Sequence, residues 1–435
     1  MPRALSLLAA AALLPAALCV ARAQDTTQRG VRIGLTYQTG TRPGVMVLPI
    51  AGADGDSIRA ILQRDFDYGD RITIVGDSMA DSALSAASAG RYNYPLFAKL
   101  GVAAIVVGTP TTNGLHVTLH DVGASRVAGV KDFLLPANAA SHQWRAAVHG
   151  MADEIEQWIT GVRGIAETRI AFVRDGHVHV IDSDGAFERS VTSTGLALSP
   201  AWHPSGRYIA YSSVGDRGSQ IMLIDLATSY ARVVNGATGG LNITPVFSPD
   251  GGTLVYSHGQ DDGTDLYAVS PFQPGPPRQV TVGRGTDNVS PTFSPDGRRL
   301  AFTSGRSGHP EVYIMDADGT NAELLTPFAF GDQYYRSNPD WSPDGRVIAF
   351  QSQIAGVFQV MTISLRDRSV KQLTSEARNE DPSWAPDGRH LVFTSTRTGE
   401  KQLWVLDTES GRLRQLTRGG GARLAAWSPR LALVQ

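Results

Sequence analysis

The chain has 435 residues, of which 42% are hydrophobic and 18% charged, so it is long enough to form two domains with sizeable cores. It carries 39 Lys and Arg against 41 Asp and Glu, a formal net charge of −2, and this balance argues against nucleic acid as a partner. Beyond the first 23 residues no stretch approaches the roughly 20 apolar residues of a spanning helix, so we expect no transmembrane segment in the mature chain.

The first 23 residues have the pattern of a secretory signal peptide. Arg3 precedes an apolar run over residues 4–20, and Ala21, Arg22 and Ala23 form a small-residue A-x-A cleavage site. The single cysteine, Cys19, lies inside this segment. We therefore predict an exported protein whose mature chain folds without disulfides.

Residues 24–165 predict a small α/β domain. Its predicted strands cover residues 45–50, 71–75, 103–108 and 115–122, and its first predicted helices cover residues 57–68 and 96–100. A last helix is indicated by apolar residues at a spacing of three and four, which places them on one face: Trp144, Val148, Met151, Ile155 and Trp158. Gly161 can end this helix, so we place the domain boundary near residues 161–167.

The remainder of the chain, residues 166–435, is built from repeats. An aromatic residue followed by a turn of the Pro-Asp-Gly type recurs every 43 to 48 residues, and the last copy is truncated; the aromatic anchors are Trp202, Phe247, Phe293, Trp341, Trp384 and Trp427. This spacing suits one four-stranded blade per repeat, so the sequence predicts an all-β six-bladed propeller. One aromatic per blade at a fixed register indicates packing between neighbouring blades.

The truncated last repeat predicts how the ring closes. Residues 168–173, 177–182 and 188–192 resemble the second, third and fourth strands of a blade that has no first strand before them. An unpaired strand edge favours aggregation. We therefore expect the C-terminal strand near Trp427 to pair with Thr168 to Val173.

Both regions together resemble the TolB family, the periplasmic propeller proteins of the Tol-Pal system. The resemblance rests on VRIG and TRPGVMVLPI within residues 31–50, on ITGVRGIAETRIAFV from Ile159, and on the repeats that end on WSP. Repeats of the SPDG type also occur in other secreted propellers, including those of prolyl-oligopeptidase-like enzymes. The N-terminal domain is the feature that points to the TolB family among these propellers. The resemblance implies a periplasmic protein.

The resemblance further implies a non-enzymatic hub without cofactor, expected to be monomeric. It would bind the lipoprotein Pal through the propeller and TolA through the N-terminal segment, maintain outer-membrane integrity and support outer-membrane invagination in cell division. The TolA-binding residues would be Val31, Arg32, Ile33, Leu35 and Tyr37. The segment departs from the family: Gln24 to Arg29 form a polar tail, and Thr36 to Gln38 stand where the family has an acidic, glycine-containing epitope. A strand-like segment such as Val31 to Leu35 can bind by adding to the edge of a partner's sheet.

The Pal-binding surface is expected where loops gather around the propeller channel. A proline stands two residues before five of the six anchors, and we place the loops that enter the innermost strands just before it. The candidate partner-binding residues there are Asn242, Thr244, Asn288, Ser290, Arg336, Asn338, Arg378, Asn379 and Glu380. Arginines at this face can bind a partner carboxylate through two parallel hydrogen bonds.

The alternative function is a secreted propeller that binds a small ligand or assists a hydrolase. Gly76, Asp77 and Ser78 spell the GDS of one esterase class, and Asp387 to His390 spell its D-x-x-H. Asp387 belongs to a blade turn, whereas Ser78 lies in the other domain, so we predict no catalytic residues. His177 and His179 share a strand face without a third ligand at a supporting spacing, so we predict no metal site.

Overall fold

A computed structural model describes residues 42–76, 92–216, 218–234, 239–273, 275–283, 285–327 and 334–431. Within them, one five-stranded sheet precedes six four-stranded sheets. The five-stranded sheet and its helices, residues 42–160, are called the α/β body below. The six small sheets are the blades of a β-propeller, which confirms the predicted fold class.

The α/β body combines five strands with three helices. The strands are β1 (Gly44–Val47), β2 (Thr73–Ile74), β3 (Ala104–Thr111), β4 (Gly114–Asp121) and β5 (Arg126–Leu134); the helices are α1 (Gly55–Tyr68), α2 (Tyr94–Lys99) and α3 (His142–Thr160). The strand order is β2-β1-β3-β4-β5, with β1 parallel to β2 and β3 and the remaining pairs antiparallel. The edge strand β5 was missed by the sequence analysis because most of its side chains are exposed and its apolar residues do not alternate regularly.

Two apolar layers hold this body together. Helices α1 and α3 cover one face of the sheet, with Phe66 and Val148 among their fully buried residues, and α2 covers the other face through Phe97. Helix α3 is capped by the Ser141 hydroxyl, which accepts a hydrogen bond from the Trp144 amide, and it ends at Gly161 with φ of +81°. The predicted apolar face of α3 is therefore confirmed.

The propeller has four strands in each blade. Blade I contains β9 (Leu196–Trp202), β10 (Tyr208–Gly215), β11 (Gly218–Asp225) and β12 (Ala231–Val233). Blade II contains β13 (Leu241–Phe247), β14 (Leu254–Gln260), β15 (Gly263–Val269) and β16 (Arg278–Gln279). Blade III contains β17 (Asn288–Phe293), β18 (Arg299–Ser304), β19 (Glu311–Asp316) and β20 (Glu323–Leu324).

The second half of the ring repeats this plan. Blade IV contains β21 (Arg336–Trp341), β22 (Val347–Ile354), β23 (Val357–Ser364) and β24 (Val370–Gln372). Blade V contains β25 (Asn379–Trp384), β26 (His390–Ser395), β27 (Gln402–Asp407) and β28 (Leu413–Gln415). Blade VI combines β29 (Arg423–Trp427) with β6 (Arg169–Arg174), β7 (His177–Asp182) and β8 (Arg189–Ser190).

Blade VI joins the two ends of the propeller. Strand β29 pairs antiparallel with β6, and Trp427 lies opposite Ile170. This is the pairing that the truncated sixth repeat predicts. The six innermost strands, β9, β13, β17, β21, β25 and β29, then contact one another in a closed ring.

The aromatic anchors pack between neighbouring blades. The Trp202 indole N–H donates to the Ala426 carbonyl of blade VI at 3.0 Å, and the Trp384 indole N–H donates to the Asp340 carbonyl of blade IV at 3.2 Å. Each blade also contributes to a core shared with the next one, as where Val180 of blade VI packs with Trp202 and Ile209 of blade I. The interpretation of these aromatics as packing residues is therefore confirmed.

Every innermost strand contains a β-bulge at the residue that precedes the repeat's proline position. The bulged residues have φ between +47° and +54°: Ser199, Thr244, Ser290, Asn338, Asp381 and Leu424. The register of all six strands shifts at this point. Because the innermost strand has a free edge toward the channel, a proline after the bulge costs no ladder hydrogen bond.

Across the described residues, no helix is both long and apolar enough to cross a membrane.

Candidate functional site at the channel mouth

The predicted partner-binding residues lie in the innermost strands, which corrects their assignment to loops. Asn242 and Thr244 belong to β13, Asn288 and Ser290 to β17, Arg336 and Asn338 to β21, and Asn379 and Glu380 to β25; Arg378 alone precedes its strand. The proline suggested a loop, but the bulge keeps it within a strand. We call the end of the propeller where these strands begin the channel mouth.

Three of the predicted residues are buried asparagines that fasten one blade to the next. Asn242, Asn288 and Asn379 are at most 1% exposed. The Asn379 amide donates to Gln359 Oε1 of the preceding blade at 2.8 Å, and the Asn288 amide donates to Asp265 Oδ1 at 3.0 Å. Since both ends of these amides are used inside the protein, their role is to join blades.

Arg336 occupies the same position in blade IV. Its Nη1 lies 3.1 Å from Glu311 Oε2, and the Glu311 side chain is fully buried. The Arg336 guanidinium also donates to the Pro327 carbonyl at 2.7 Å and stacks over the Tyr334 ring, 4.3 Å from its centroid. Reversing the charge of Arg336 would place two carboxylates together, so this arginine is unsuited to a test of partner binding.

The bulged residues form a chain of hydrogen bonds between neighbouring innermost strands. The Ser290 amide donates to Thr244 Oγ1 at 3.2 Å, the Ser290 hydroxyl donates to Asn338 Oδ1 at 3.0 Å, and Asn338 Nδ2 donates to Asp381 Oδ1 at 2.7 Å. Burial, aided by the neighbouring Glu380 carboxylate, raises the pKa of Asp381. These polar side chains link four blades close to the channel axis.

A second carboxylate, Asp340, lies one layer deeper. Its oxygens accept hydrogen bonds from the Trp384 amide at 2.7 Å and from the Thr292 hydroxyl at 3.3 Å. Burial raises the pKa of Asp340 to about 6 although these bonds oppose the shift. The Asp340 carboxylate thus joins blades III, IV and V.

The exposed part of the predicted site is centred on Arg378. Its side chain is 47% exposed, donates from Nε to Glu380 Oε1 at 2.7 Å, and stacks over the Phe358 ring at 5.1 Å. Lys401 donates to the other oxygen of Glu380 at 3.0 Å. A cation fixed on an aromatic ring at the rim of the mouth is arranged to receive an acidic group.

Three further arginines at the mouth were missed by the sequence analysis. Arg306 stacks over Tyr313 at 4.9 Å, Arg397 over Trp404 at 4.7 Å and Arg174 over Phe172 at 5.3 Å. Arg306 and Arg397 also donate to the blade-joining asparagines, at 3.0 Å to Asn288 and 3.1 Å to Asn379. The shared pattern Phe-Thr-Ser-x-Arg, starting at residues 302 and 393, could have identified the first two.

The esterase-like motif has a different use. Ser78 lies outside the described residues. Asp387 Oδ2 is 2.8 Å from His390 Nδ1, as in a catalytic dyad, but His390 Nε2 faces Asp70 Oδ2 at 3.3 Å. The imidazole is 0% exposed in its side chain, so its second nitrogen is used by a carboxylate of the α/β body.

One group of side chains has the spacing of metal ligands. Ligand atoms of Asp65, His149 and Asp184 lie within 4.8 Å of one another. The Asp184 carboxylate is already paired with Arg64, at 2.6 Å, and with Arg145. A cation would have to displace two guanidinium groups, so we interpret this group as an ion-pair cluster.

The five residues predicted to bind TolA, residues 31–33, 35 and 37, lie outside the described part of the chain. Their assignment stays a prediction.

Comparisons with known proteins agree with this architecture. The chain is 32% identical over 213 residues to "Tol-Pal system protein TolB" of Haemophilus influenzae strain KW20 / Rd, covering 46% of this chain and 49% of that protein. It is 34% identical over 140 residues to the protein of the same name from Gluconobacter oxydans, covering 30% and 31% of the two chains. The chain therefore spans about a third to a half of the length of these curated relatives.

Solved structures and a family match complete the comparison. The crystal structure of TolB from Acinetobacter baumannii matches with a TM-score of 0.76 and 25% identity, covering 91% of this chain and 98% of that one. A putative TolB from Agrobacterium tumefaciens, with a TM-score of 0.50 and 23% identity over 59% of this chain and 91% of that one, supports the fold alone. Residues 156–431 match the TolB β-propeller domain family, PD40, and the chain belongs to this family.

Proposed function

We propose that this protein is a non-enzymatic, periplasmic component of a Tol-Pal system that binds a Pal-type lipoprotein at the channel mouth and TolA through its N-terminal segment. The observation that supports the proposal best is the family match over residues 156–431, together with relatives named as Tol-Pal system proteins. In this role the protein maintains outer-membrane integrity and supports outer-membrane invagination during division.

The domain organisation in this proposal has three parts. Residues 1–23 are the signal peptide that directs export, residues 24–165 include the α/β body, and residues 166–435 are the propeller. The mature chain works as a monomer, since a hub of this kind needs its channel mouth and its N-terminal segment free for two partners.

The channel mouth suits a partner that presents carboxylates. Arg378 is anchored on Phe358 yet nearly half exposed, and Lys401 lies beside it on Glu380. A preformed, aromatic-supported arginine loses little side-chain entropy when it binds. Because Asn242, Asn288, Arg336 and Asn379 are committed to joining blades, we assign the binding role to the exposed rim and the channel-facing side chains.

No catalytic step is part of the proposal. The histidine of the D-x-x-H motif lies between the motif's aspartate, Asp387, and Asp70 of the α/β body. Both ring nitrogens of His390 are then occupied, which leaves it unable to serve as the general base of a serine nucleophile.

A capture experiment tests the Pal arm. The mature protein and an Arg378→Gln variant are used to recover a Pal-type lipoprotein from detergent-solubilised envelopes of the source bacterium. Glutamine removes the charge without placing a second carboxylate beside Glu380. Arg346→Gln is the matched control, because this arginine is 84% exposed on the turn at the opposite end of a neighbouring blade. We expect recovery by the parent and by Arg346→Gln, and binding weakened at least about tenfold in Arg378→Gln. Equal recovery by all three would rule out the mouth as the docking surface.

A deletion series tests the TolA arm. Removing residues 24–37 should abolish TolA binding and leave Pal capture unchanged, whereas removing residues 24–30 alone should leave both intact. TolA binding that survives the longer deletion would contradict the assignment to Val31, Arg32, Ile33, Leu35 and Tyr37.

A further inference from the structure

Two buried histidines lie at the junction between the α/β body and the propeller, and each is placed between carboxylates of both bodies. His390 belongs to β26 of the propeller, and His149 belongs to α3 of the α/β body. Their side chains are 0% and 2% exposed. Neither histidine is part of the channel mouth.

His390 has a carboxylate on each ring nitrogen. Its Nδ1 lies 2.8 Å from Asp387 Oδ2 in the propeller, and its Nε2 lies 3.3 Å from Asp70 Oδ2 in the α/β body. A carboxylate only accepts hydrogen bonds, so both ring nitrogens must carry a proton for both bonds to form. The geometry therefore requires an imidazolium.

His149 has the mirrored arrangement. Its Nδ1 lies 2.7 Å from Asp65 Oδ2 on α1, and its Nε2 faces Asp184 Oδ2 of the propeller at an ion-pair distance of 3.8 Å. Here the histidine and one carboxylate come from the α/β body, and the second carboxylate comes from the propeller. A proton on each nitrogen again suits both neighbours.

The groups that surround the two histidines are charged. Around His149 they are Asp65 on α1, Arg145 on its own helix, Asp184 with Arg64 paired to it, and Glu167. Around His390 they are Asp387 with Arg71 paired to it, Asp70 with Arg42 and Arg412 paired to its carboxylate, Arg389 on the Asp70 backbone carbonyl, and Glu156. In both places the imidazole lies between two carboxylates, at least one of which is also paired with arginine.

We propose that His149 and His390 are proton-operated clamps, so that the docking of the α/β body on the propeller takes up protons and weakens as the pH rises above neutrality. This inference concerns the junction and stands apart from the proposed partner binding. Separating the two bodies would expose both imidazoles to water, where they lose their second proton near the ordinary histidine pKa of about 6.5.

The sign of the pH dependence follows from the pKa values. Burial opposes protonation, but the hydrogen bonds and charges of Asp387 and Asp70 outweigh it and raise the pKa of His390; the charge and hydrogen bond of Asp65, with the charge of Asp184, do the same for His149. A histidine whose pKa is raised by folding stabilises the folded chain fully below about pH 6.5. This stabilisation is lost as the pH rises through the raised pKa. Burial also raises the pKa of Glu156 to about 8, which acts in the same direction.

A third histidine at the junction provides a control. His142 Nε2 donates to Asp182 at 2.9 Å, and its Nδ1 accepts from the Arg169 guanidinium at 3.2 Å. One donor and one acceptor nitrogen form the bonding pattern of a neutral ring. Replacing His142 should therefore change stability without changing the number of protons that the junction holds.

The test is the slope of the unfolding free energy against pH between 7 and 9, measured by urea denaturation of the mature chain. The slope gives the protons released on unfolding. We expect the magnitude of this slope to fall by up to one proton in His149→Gln, up to one in His390→Gln and up to two in the double variant, with His142→Gln matching the parent. A double variant with the parent's slope would overturn the proposal, because a histidine that is neutral in the folded chain shifts stability equally throughout pH 7–9.

A second measurement covers the case in which the double variant does not fold. Histidine ring signals of the parent are followed by NMR from pH 5 to 9 and assigned with the single variants. Two rings that remain imidazolium at pH 7.5 support the proposal. Titration of both near 6.5 refutes it.

Discussion

The joint between blades III and IV provides a quantitative test of the blade-joining residues. In blades II, III and V the first buried residue of the innermost strand is an asparagine, whereas blade IV has Arg336 bound to Glu311. Glu311 also accepts a hydrogen bond from the Thr326 hydroxyl, and in the next blade Gln359 accepts one from the Thr374 hydroxyl in the same way. The Arg336–Glu311 pair is thus a charged version of the Asn379–Gln359 pair.

Replacing one residue of the Arg336–Glu311 pair should lower the free energy of unfolding far more than replacing both. Arg336→Asn leaves the fully buried Glu311 carboxylate without its guanidinium, with only the Thr326 hydroxyl and the His309 ring beside it. Breaking a buried ion pair in this way lowers the free energy of unfolding by about 3–5 kcal/mol. Adding Glu311→Gln recreates the amide pair seen between Asn379 and Gln359 at 2.8 Å. The double variant should then recover all but about 1 kcal/mol, the worth of an ordinary hydrogen bond.

The assay is a double-mutant cycle by urea denaturation at pH 7.5, with circular dichroism and tryptophan fluorescence both recorded so that coincident transitions show all-or-none unfolding. We expect a coupling energy of at least about 2 kcal/mol between the two positions. A double variant no more stable than Arg336→Asn would refute the equivalence of the charged and amide pairs. A loss below about 1 kcal/mol in Arg336→Asn would show that the buried carboxylate does not depend on the arginine.

Two further predictions concern the ring and the channel. Trp427→Ala should lower the free energy of unfolding by about 3–5 kcal/mol. The indole is 6% exposed and donates to the Thr168 hydroxyl at 2.8 Å within the closing blade. An unchanged thermal midpoint would contradict a role of Trp427 in ring closure. Burial raises the pKa of Asp340 to about 6, so the contribution of this carboxyl to stability falls as the pH rises from about 4 to about 6. Asp340→Asn should remove this part of the pH dependence of the thermal midpoint. Parallel pH profiles of the variant and the parent would exclude the Asp340 carboxyl as the source of this pH dependence.

The candidate site was predicted in part. The proline positions located the channel mouth and Arg378, because proline and its neighbours mark the entry to each innermost strand. They also placed Asn242, Asn288 and Asn379 in loops, which the structure shows to be wrong, since these residues lie in strands and are buried between blades. A polar side chain near a turn can bind water or a neighbouring strand equally well, and the choice depends on residues about 20 positions earlier in the chain, such as Gln359 for Asn379.

The arginines at the mouth show a second limit. Arg306 and Arg397 follow a buried phenylalanine at a fixed spacing, yet the sequence pattern does not show which aromatic they stack on. Each lies against a ring of the third strand, Tyr313 or Trp404, across a tight turn. Such cation–π contacts depend on strand pairing, which sets the register between the two residues.

The sequence by itself determined the blade count and the four-stranded repeat, because these follow from local periodicity and turn chemistry repeated at a fixed interval. Only the tertiary structure determined which buried charged groups pair with one another. Asp70 and His390 are 320 residues apart in the chain, and no local pattern announces that they meet. The D-x-x-H motif resembles catalytic machinery in the sequence, whereas the structure makes it part of the junction. The packing of the two bodies depends on their whole surfaces, and this packing decides which carboxylate faces Nε2 of His390.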